Sequence, residues 1–376
     1  MIKVGIVGTR ALSTLMGFRE IPEAEVTSIC DLNEDVLKKA QTQYGIPRGF
    51  RIFEDMLESD IDAVVIASPM QCHVPQVLSA LEAGKHVLSE VTAGVTMDEL
   101  FWLIEAVEKA GKTYMFSENY CYMPQIRLVK ELVDKGYFGE LYYAEGEYLG
   151  YMGNALSYPN GKTSWRRYWQ VGKYGSFYPT HSIGPVMYWM DGERIEEITC
   201  FGSGHHAHPE FRQEDTTVTM CRMASGKLAK IRVDCLSRRP RSGERFQLQG
   251  TRGVYESSRG MGDESMVWFD RFGDKDLFQN GLWHPLSEFD HMLPERYKLA
   301  TEEQMKAGHD GGDFFVVKDF IDSIITGEKP AMDVYKACEW TAVGLLSELS
   351  AMNGGRPVKM PNFRENMPLD DMKIIL

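Results

Sequence analysis

Residues 62–90, DAVVIASPMQCHVPQVLSALEAGKHVLSE, place two short apolar runs on either side of an amphipathic segment. The runs DAVVIAS and HVLSE are rich in β-branched residues and lack the polar alternation of a half-exposed strand. The segment between them has apolar residues at three- and four-residue intervals, and Gly84 follows its last turn, where a left-handed helix end favours glycine. This order predicts a strand, a helix and a second strand of a parallel, doubly wound sheet.

The same alternation extends over the first 120 residues or so. Further strands are predicted at KVGIVG (3–8), EVTSICD (25–31) and TYMFSEN (113–119), and further helices at NEDVLKKAQTQYG (33–45) and TMDELFWLIEAVEKAGK (96–112). Thr96 and Glu99 have the spacing of a capping box, and Gly111 is placed to end the last helix.

The pattern changes from about residue 126. A helix at QIRLVKELVDKGYFG (125–139) precedes several runs that alternate polar and apolar residues between turn glycines, which predicts a mostly antiparallel sheet with one exposed face. Helical patterns return at 311–327 and 334–355. The fold predicted is α/β, with one domain at residues 1–123 and a second at 124–376, whose last helices can pack back on the first.

Composition narrows the classes of function. The net charge of −13 opposes binding to nucleic acid, and no apolar run approaches the roughly 20 residues that span a bilayer. The start MIKVGIVGTR lacks the features of a secretion signal, and the seven cysteines are odd in number and show no CxxC pair. We therefore expect a cytoplasmic protein that works on neither nucleic acid nor membrane.

A first candidate site lies where the first strand ends. Gly8 holds the first position of a dinucleotide-binding Gly-x-Gly-x-x-Gly pattern, but Arg10 and Ser13 occupy the other two, so Thr9 and Arg10 would have to meet the phosphates. Asp31 closes the second strand, where a carboxylate binds ribose hydroxyls and repels the extra phosphate of NADP. The pattern favours NAD; the alternative is a fold that has lost its nucleotide.

The stretch from DAVVIASPMQCHVPQ to SENYCYMP (62–124) closely resembles the Gfo/Idh/MocA oxidoreductase superfamily, as does GEKPAMDVYKACEW (327–340). The resemblance implies a Rossmann domain, an open-faced α/β domain, NAD(P) between them and a homo-oligomer. It adds Ser68 and His73 to the cofactor-binding residues; for His73, helix capping or shaping of the pocket is the alternative to direct contact. Glu90 and Asn119 are added because each ends a strand at the carboxyl edge of the sheet, where ligands bind. The alternatives are a structural salt bridge for Glu90 and simple packing for Asn119. The family's Glu-Lys-Pro motif is replaced by Glu90-Val91-Thr92, and valine cannot transfer a proton.

The segment TSWRRYW…YGSFYPTHSIGPV (163–186) resembles glycoside hydrolase family 109, a branch that also lacks the lysine and carries Tyr-Pro-Thr-His. This resemblance implies a glycosidase that uses and regenerates NAD in each turnover. We interpret Tyr178 and His181 as catalytic. His181 would be the hydrogen-bonding partner or base of the C3 hydroxyl, and Tyr178 would be the base that removes the C2 proton. Arg166 and Lys173 are the cations that could stabilise the tyrosinate. Pro179 suits the first helical position and makes Tyr178 a candidate cap. Ordinary packing of both side chains is the alternative.

Substrate contacts are predicted from aromatic and basic residues that can stack on sugars or bind hydroxyls. They are Tyr120, Trp165, Arg166, Trp169, Lys173 and His309. Ordinary packing is the alternative for Tyr120 and for the Trp165, Arg166 and Trp169 set, and a role in helix entry is the alternative for His309. The three histidines of GHHAHPEF (204–211) are interpreted as a polar loop, and no metal site is expected.

The function predicted is an NAD-dependent, redox-neutral glycoside hydrolase acting on a small-molecule glycoside. Oxidation at C3 would acidify C2, the C1 substituent would leave, and water would add. Two rivals stay open: an NAD-dependent sugar or cyclitol dehydrogenase, and a sensor that binds sugar or nucleotide without catalysis.

Overall fold

The computed structural model describes residues 1–158, 160–270 and 283–365. The chain divides into two compact units. The first consists of Met1–Met123 and Ala300–Thr341, and the second of Pro124–Leu299 and Ala342–Leu376. The first unit therefore includes a late segment of the chain in addition to the amino-terminal one.

The first unit contains a six-stranded parallel sheet. Its strands are β1 (Ile2–Val7), β2 (Ala24–Cys30), β3 (Arg48–Phe50), β4 (Ala63–Ile66), β5 (His86–Glu90) and β6 (Tyr114–Ser117). Their order is β3-β2-β1-β4-β5-β6, and every neighbouring pair is parallel. This is the order of the dinucleotide-binding doubly wound sheet, so the predicted Rossmann fold is confirmed.

The second unit contains a sheet of nine described strands. They are β7 (Leu141–Leu149), β8 (Ile195–Gly202), β9 (Thr217–Met223), β10 (Leu228–Asp234), β11 (Ser242–Gly250), β12 (Gly253–Glu256), β13 (Met266–Phe269), β14 (His284–Pro285) and β15 (Val358–Lys359). Their order is β14-β13-β12-β11-β7-β10-β9-β8-β15. All neighbours are antiparallel except β7 and β10, so the predicted mostly antiparallel sheet is confirmed.

The described helices include all the amphipathic segments predicted above, together with short helices that the sequence did not indicate. They are α1 (Leu15–Arg19), α2 (Glu34–Tyr44), α3 (Phe53–Leu57), α4 (His73–Glu82), α5 (Met97–Ala110), α6 (Pro124–Asp134), α7 (Arg166–Trp169), α8 (Thr180–Trp189), α9 (Glu295–Lys298), α10 (Glu302–Met305), α11 (Gly312–Thr326) and α12 (Val334–Met352). The capping box at the start of α5 is present: Glu99 N–H donates to Thr96 Oγ1, and Thr96 N–H donates to Glu99 Oε2, both at 3.2 Å.

The segment after β1 differs from the prediction. Instead of one helix beginning at Gly8, a 3-10 turn at Thr9–Ser13 precedes α1, which has only five residues. Gly17 fixes α1 against α11, because a Cβ at Gly17 would lie 3.0 Å from Phe314 Cα and 2.8 Å from Val317 Cγ2. So short a helix has little macrodipole, and the charge that attracts phosphate here has to come largely from side chains.

In the second unit, α8 lies directly on β7. A Cβ at Gly146 would be 2.2 Å from the carbonyl oxygen of Ser182, so only glycine allows this approach. Trp189 anchors the end of the same helix with its ring centre 5.6 Å from those of Phe246 and Tyr255. The glycine thus sets where the first turn of α8 meets the sheet.

Within the three described ranges, no helix combines the length and the apolar character needed to cross a membrane.

Candidate active site

Gly8 makes the tight turn at the end of β1. Its φ is 81°, and a Cβ would lie 2.7 Å from the carbonyl oxygen of Ala67, so a side chain is excluded both by conformation and by space. Thr9 and Arg10 follow on the exposed surface of the turn. A guanidinium at this point can pair with phosphate where the fingerprint has lost its second glycine.

Asp31 directly follows β2, the strand beside β1. Its Oδ1 accepts the N–H of Asn33 at 2.8 Å, which fixes the carboxylate, and the residue is partly exposed. Asn33 in turn caps α2 through its side chain. A held, accessible carboxylate at this strand end fits the ribose hydroxyls of a dinucleotide.

His73 connects the two loops that follow β4 and β5. Its Nδ1 lies 2.7 Å from the carbonyl oxygen of Thr92, and its Nε2 lies 2.9 Å from that of Ser68. These carbonyls favour a protonated ring, but complete burial dominates and lowers the pKa of His73. The ring is engaged by backbone on both sides, which favours the pocket-shaping alternative over direct contact with a cofactor. The hydroxyl of Ser68 donates to Gln76 Oε1 at 2.6 Å.

Glu90, Asn119 and Tyr120 lie at the carboxyl edge of the parallel sheet, where ligands of this architecture bind. Glu90 is the last residue of β5, and the other two begin the 3-10 turn that follows β6. All three are buried. Val91, in the place of the family lysine, is also buried and can only pack.

The loop before α11 adds His309 to this unit. Its ring centre lies 5.7 Å from that of Tyr120, and its Nδ1 lies 2.9 Å from Asp313 Oδ1. The glycine turn, Arg10, Asp31 and the polar groups at the sheet edge together fit a dinucleotide, which would lie across Gly8 with its ribose at Asp31.

Tyr178 and His181 form a buried pair in the second unit, each 7% exposed. Tyr178 Oη lies 3.5 Å from His181 Nε2, at the outer limit of a hydrogen bond. The predicted helix start is wrong by one residue: Pro179 is the N-cap of α8 rather than its first helical residue, and Tyr178 precedes the cap. Tyr178 therefore does not cap this helix.

Tyr148 is the functional candidate that sequence reasoning missed. Its ring centre lies 5.5 Å from that of His181 and 6.0 Å from that of Tyr178. It shares a face of β7 with Gly146, two residues earlier, where Ser182 approaches. A glycine two positions before a tyrosine in a strand was the available signal, but nothing local indicates which helix covers it.

The cations predicted to serve Tyr178 are engaged elsewhere. Lys173 Nζ lies 3.5 Å from Glu348 Oε2 and over the rings of Trp169 and Phe177, at 5.3 and 5.1 Å. Arg166 donates to Gln170 at 2.7 Å and lies over the ring of Trp165. A positive charge lies instead beside Tyr148: Arg241 Cζ is 5.7 Å from the centre of its ring. It follows a turn that no local pattern had marked as functional.

The histidines at 205, 206 and 208 lie in one loop; the ring centre of His205 is 6.5 Å from that of Tyr174, and the ring centre of His208 is 5.6 Å from that of Tyr151. His206 Nε2 lies 2.8 Å from the carbonyl oxygen of Ser203, and His208 Nδ1 lies 3.2 Å from Glu210 Oε1. Over the described part of the chain, no three His, Cys, Asp or Glu residues are grouped so that they could hold a metal ion.

Two family descriptions match the chain. "Oxidoreductase family, NAD-binding Rossmann fold" matches residues 2–118, and "Glycosyl hydrolase 109, C-terminal domain" matches residues 122–367. Among curated relatives, an alpha-N-acetylgalactosaminidase of Shewanella oneidensis is 28% identical over 96% of this chain and 85% of its own. A glycosyl hydrolase family 109 protein of Saccharopolyspora erythraea is 30% identical over 96% of this chain and 83% of its own.

Solved structures share the fold at lower identity. Levoglucosan dehydrogenase in complex with NADH superposes with a TM-score of 0.78 at 20% identity, covering 96% of this chain and 99% of that one. Apo scyllo-inositol dehydrogenase from Lactobacillus casei gives a TM-score of 0.71 at 18% identity, covering 96% and 98%. The match to the glycosyl hydrolase 109 domain covers well over half of the chain, and it contains the Tyr178/His181 pair. The chain therefore belongs to glycosyl hydrolase family 109, and its first 118 residues or so form the NAD-binding Rossmann domain of the oxidoreductase family.

Proposed function

We propose that the protein is an NAD-dependent, redox-neutral glycosidase in which Tyr178 and His181 carry the proton transfers. The observation that supports this most directly is the buried pair itself, with Tyr178 Oη 3.5 Å from His181 Nε2. Val91 stands where the family's dehydrogenases have a proton-transferring lysine, so these transfers need other groups. When bound, NAD supplies reversible hydride exchange with a sugar carbon.

His181 is the group that holds the C3 hydroxyl and takes up its proton as C3 becomes a carbonyl. An imidazole suits this step because it binds and releases protons near neutral pH. The proton returns from the same ring when C3 is restored to an alcohol. His181 is thus regenerated in each turnover.

Tyr178 is the group that removes the proton from C2, which the neighbouring carbonyl has made acidic. The C2 proton passes to the tyrosinate, the electron pair forms a double bond between C1 and C2, and the C1 substituent departs with the electrons of its bond. The hydroxyl of a water molecule then adds to C1, the proton on Tyr178 returns to C2, and the remaining proton of the water goes to the departed group. A tyrosinate needs a nearby positive charge, and Arg241 beside Tyr148 is a source of it.

The proposed substrate is an N-acetylhexosaminide, because the relative from Shewanella oneidensis is named an alpha-N-acetylgalactosaminidase. The first test is therefore p-nitrophenyl α-N-acetylgalactosaminide, followed by a panel of other p-nitrophenyl glycosides. The purified protein is stripped of nucleotide and assayed with and without NAD. Nitrophenolate and NADH are read together.

The expected result is nitrophenolate release that requires NAD and leaves no net NADH. Stoichiometric NADH without nitrophenolate would replace this proposal by a dehydrogenase. Binding of sugar and NAD without either product, over the whole panel, would support the sensor instead.

A further inference from the structure

His309 is held by buried polar groups from two separate segments of the first unit. Its Nδ1 lies 2.9 Å from Asp313 Oδ1, and Asn119 Nδ2 donates to the same oxygen at 3.2 Å. Asp313 is 3% exposed and Asn119 is 1% exposed. A buried carboxylate that receives an amide and an imidazole N–H fixes the ring far more tightly than solvent could.

The backbone around His309 is shaped for this contact. His309 and Asp310 have φ values of 56° and 52°, and Gly311 continues the left-handed run at 85°. Asp313 N–H donates to the carbonyl oxygen of Gly308 at 3.0 Å and Gly312 N–H to that of His309 at 2.8 Å, which closes the loop onto the start of α11. Two consecutive non-glycine residues in this conformation are strained, and such strain is typical of functional sites.

Gly308 leaves room for the carboxylate. A Cβ at this position would lie 2.4 Å from Asp313 Oδ2. The Asp313 carboxylate is therefore placed against His309 by three features together: Gly308, the left-handed loop and Asn119.

The second ring nitrogen of His309 is available to a ligand. Nε2 makes no hydrogen bond to any residue that the structure describes, and the side chain is 19% exposed. The ring lies against Tyr120, at the carboxyl edge of the parallel sheet where ligands bind.

The charges around the ring come from several elements. Burial opposes protonation, but the hydrogen bond and charge of Asp313 outweigh it and raise the pKa of His309. Arg10, from the turn after β1, acts to lower that pKa, and Glu90, at the end of β5, acts to raise it.

We propose that Asp313 is a positioning residue, which with Asn119 fixes the orientation and tautomer of His309 so that Nε2 hydrogen-bonds a ligand hydroxyl at the edge of the first sheet. The hydroxyl belongs either to the nicotinamide-side ribose of the dinucleotide or to the sugar. The proposal rests on the proposed function where the sugar is concerned. Its tautomer component does not, because the ring is held in the free protein.

The first test is made on the free, full-length protein labelled with ¹⁵N in its nine histidines, with the His309 signals assigned from the variant His309→Gln. A ring whose Nδ1–H donates to Asp313 is in the Nδ1–H tautomer when neutral. At a pH where the ring is neutral, we expect that tautomer in the wild-type protein and a shift towards Nε2–H in Asp313→Asn. An Nε2–H ring in the wild type would overturn the proposal, even if Asp313→Asn did not fold.

The second test separates the two sources of the hydroxyl. Asp313→Asn is compared with Asp322→Asn, an exposed carboxylate on the same helix that pairs with Lys318. Loss of a hydrogen bond to a held imidazole is expected to weaken one step about 10- to 100-fold. A weaker Kd for NAD identifies the ribose, whereas an unchanged Kd with a lower kcat/KM for the glycoside identifies the sugar.

These outcomes distinguish the two proposals. The wild-type protein could lack glycosidase activity and still show the Nδ1–H tautomer and an NAD affinity that depends on Asp313. That result would refute the proposed function and support the positioning role. Equal Kd, kcat and KM in Asp313→Asn and Asp322→Asn would remove the positioning role alone.

Discussion

The ring of Tyr178 contacts two other rings, those of His181 and Tyr148. His181 is one turn along the chain, and Tyr148 reaches it from β7. In the proposed reaction a buried phenol can act as a base only if its anion meets positive charge. Arg241, over the ring of Tyr148, is a candidate source of that charge. The proposed function therefore depends on a cluster of side chains from a helix start, a strand and a turn.

Replacing Tyr178 by phenylalanine removes the hydroxyl and keeps the packed ring. We expect kcat to fall by roughly 100-fold or more, as for loss of a general base, with NAD affinity unchanged. Exchange of the C2 proton with deuterated solvent, followed by NMR of the recovered sugar, should stop.

The control is Tyr143→Phe. Tyr143 lies on the face of β7 opposite to Tyr148, and its hydroxyl contacts Glu145. It should exchange at the wild-type rate. Continued exchange at C2 in the Tyr178 variant would take the tyrosine out of this step.

At the scale of elements, the contact between α8 and β7 depends on Gly146. A methyl group there would lie 2.2 Å from the Ser182 carbonyl oxygen, so Gly146→Ala has to push the start of α8 off the strand. We expect a loss of about 1 to 3 kcal/mol in the free energy of unfolding. Activity should fall by about 10- to 100-fold, because His181 moves relative to Tyr148.

Gly49→Ala is the matched control in a strand. The atoms nearest to its Cβ would belong to Gln41 and Leu37, at the ordinary contact distance of 3.5 Å. Urea denaturation and steady-state kinetics of the two variants should therefore differ clearly. If Gly146→Ala and Gly49→Ala were equally stable and equally active, α8 could shift on β7 without loss of stability, and its position would not matter for activity.

Elements were predictable where their own residues determine them. The alternation that ends at Gly84 and the capping box of Thr96 and Glu99 are local, and both are found as predicted. The parallel pairing of β7 with β10 joins strands far apart in the chain, so no local pattern encodes it. The packing of Tyr148 on His181, and of Asp313 on His309, depends on the same long-range arrangement. For that reason Tyr178 and His181 could be singled out from sequence as candidates, whereas the residues that pack around them could not.

At the scale of the whole molecule, three histidines give the folded chain opposite responses to pH. Burial lowers the pKa of His73 and of His86, so protonation opposes folding at these two sites. Asp313 raises the pKa of His309 against the effect of burial, so protonation there favours folding. The unfolded chain has histidine pKa values near 6.5 and is the common reference.

These opposite shifts predict a maximum of stability near pH 6.5 within the range where histidine titrates. The contributions of His73 and His86 are complete above about pH 6.5 and are lost as the pH falls through their lower folded values. The contribution of His309 is complete below about pH 6.5 and is lost as the pH rises through its higher folded value. Urea denaturation at closely spaced pH values measures both limbs. In Asp313→Asn, only the fall in stability on the alkaline side should become flatter. In Asp322→Asn, the falls on both sides should be unchanged. If stability fell on the alkaline side of Asp313→Asn as steeply as in the wild type, the Asp313 carboxylate would not hold the His309 proton.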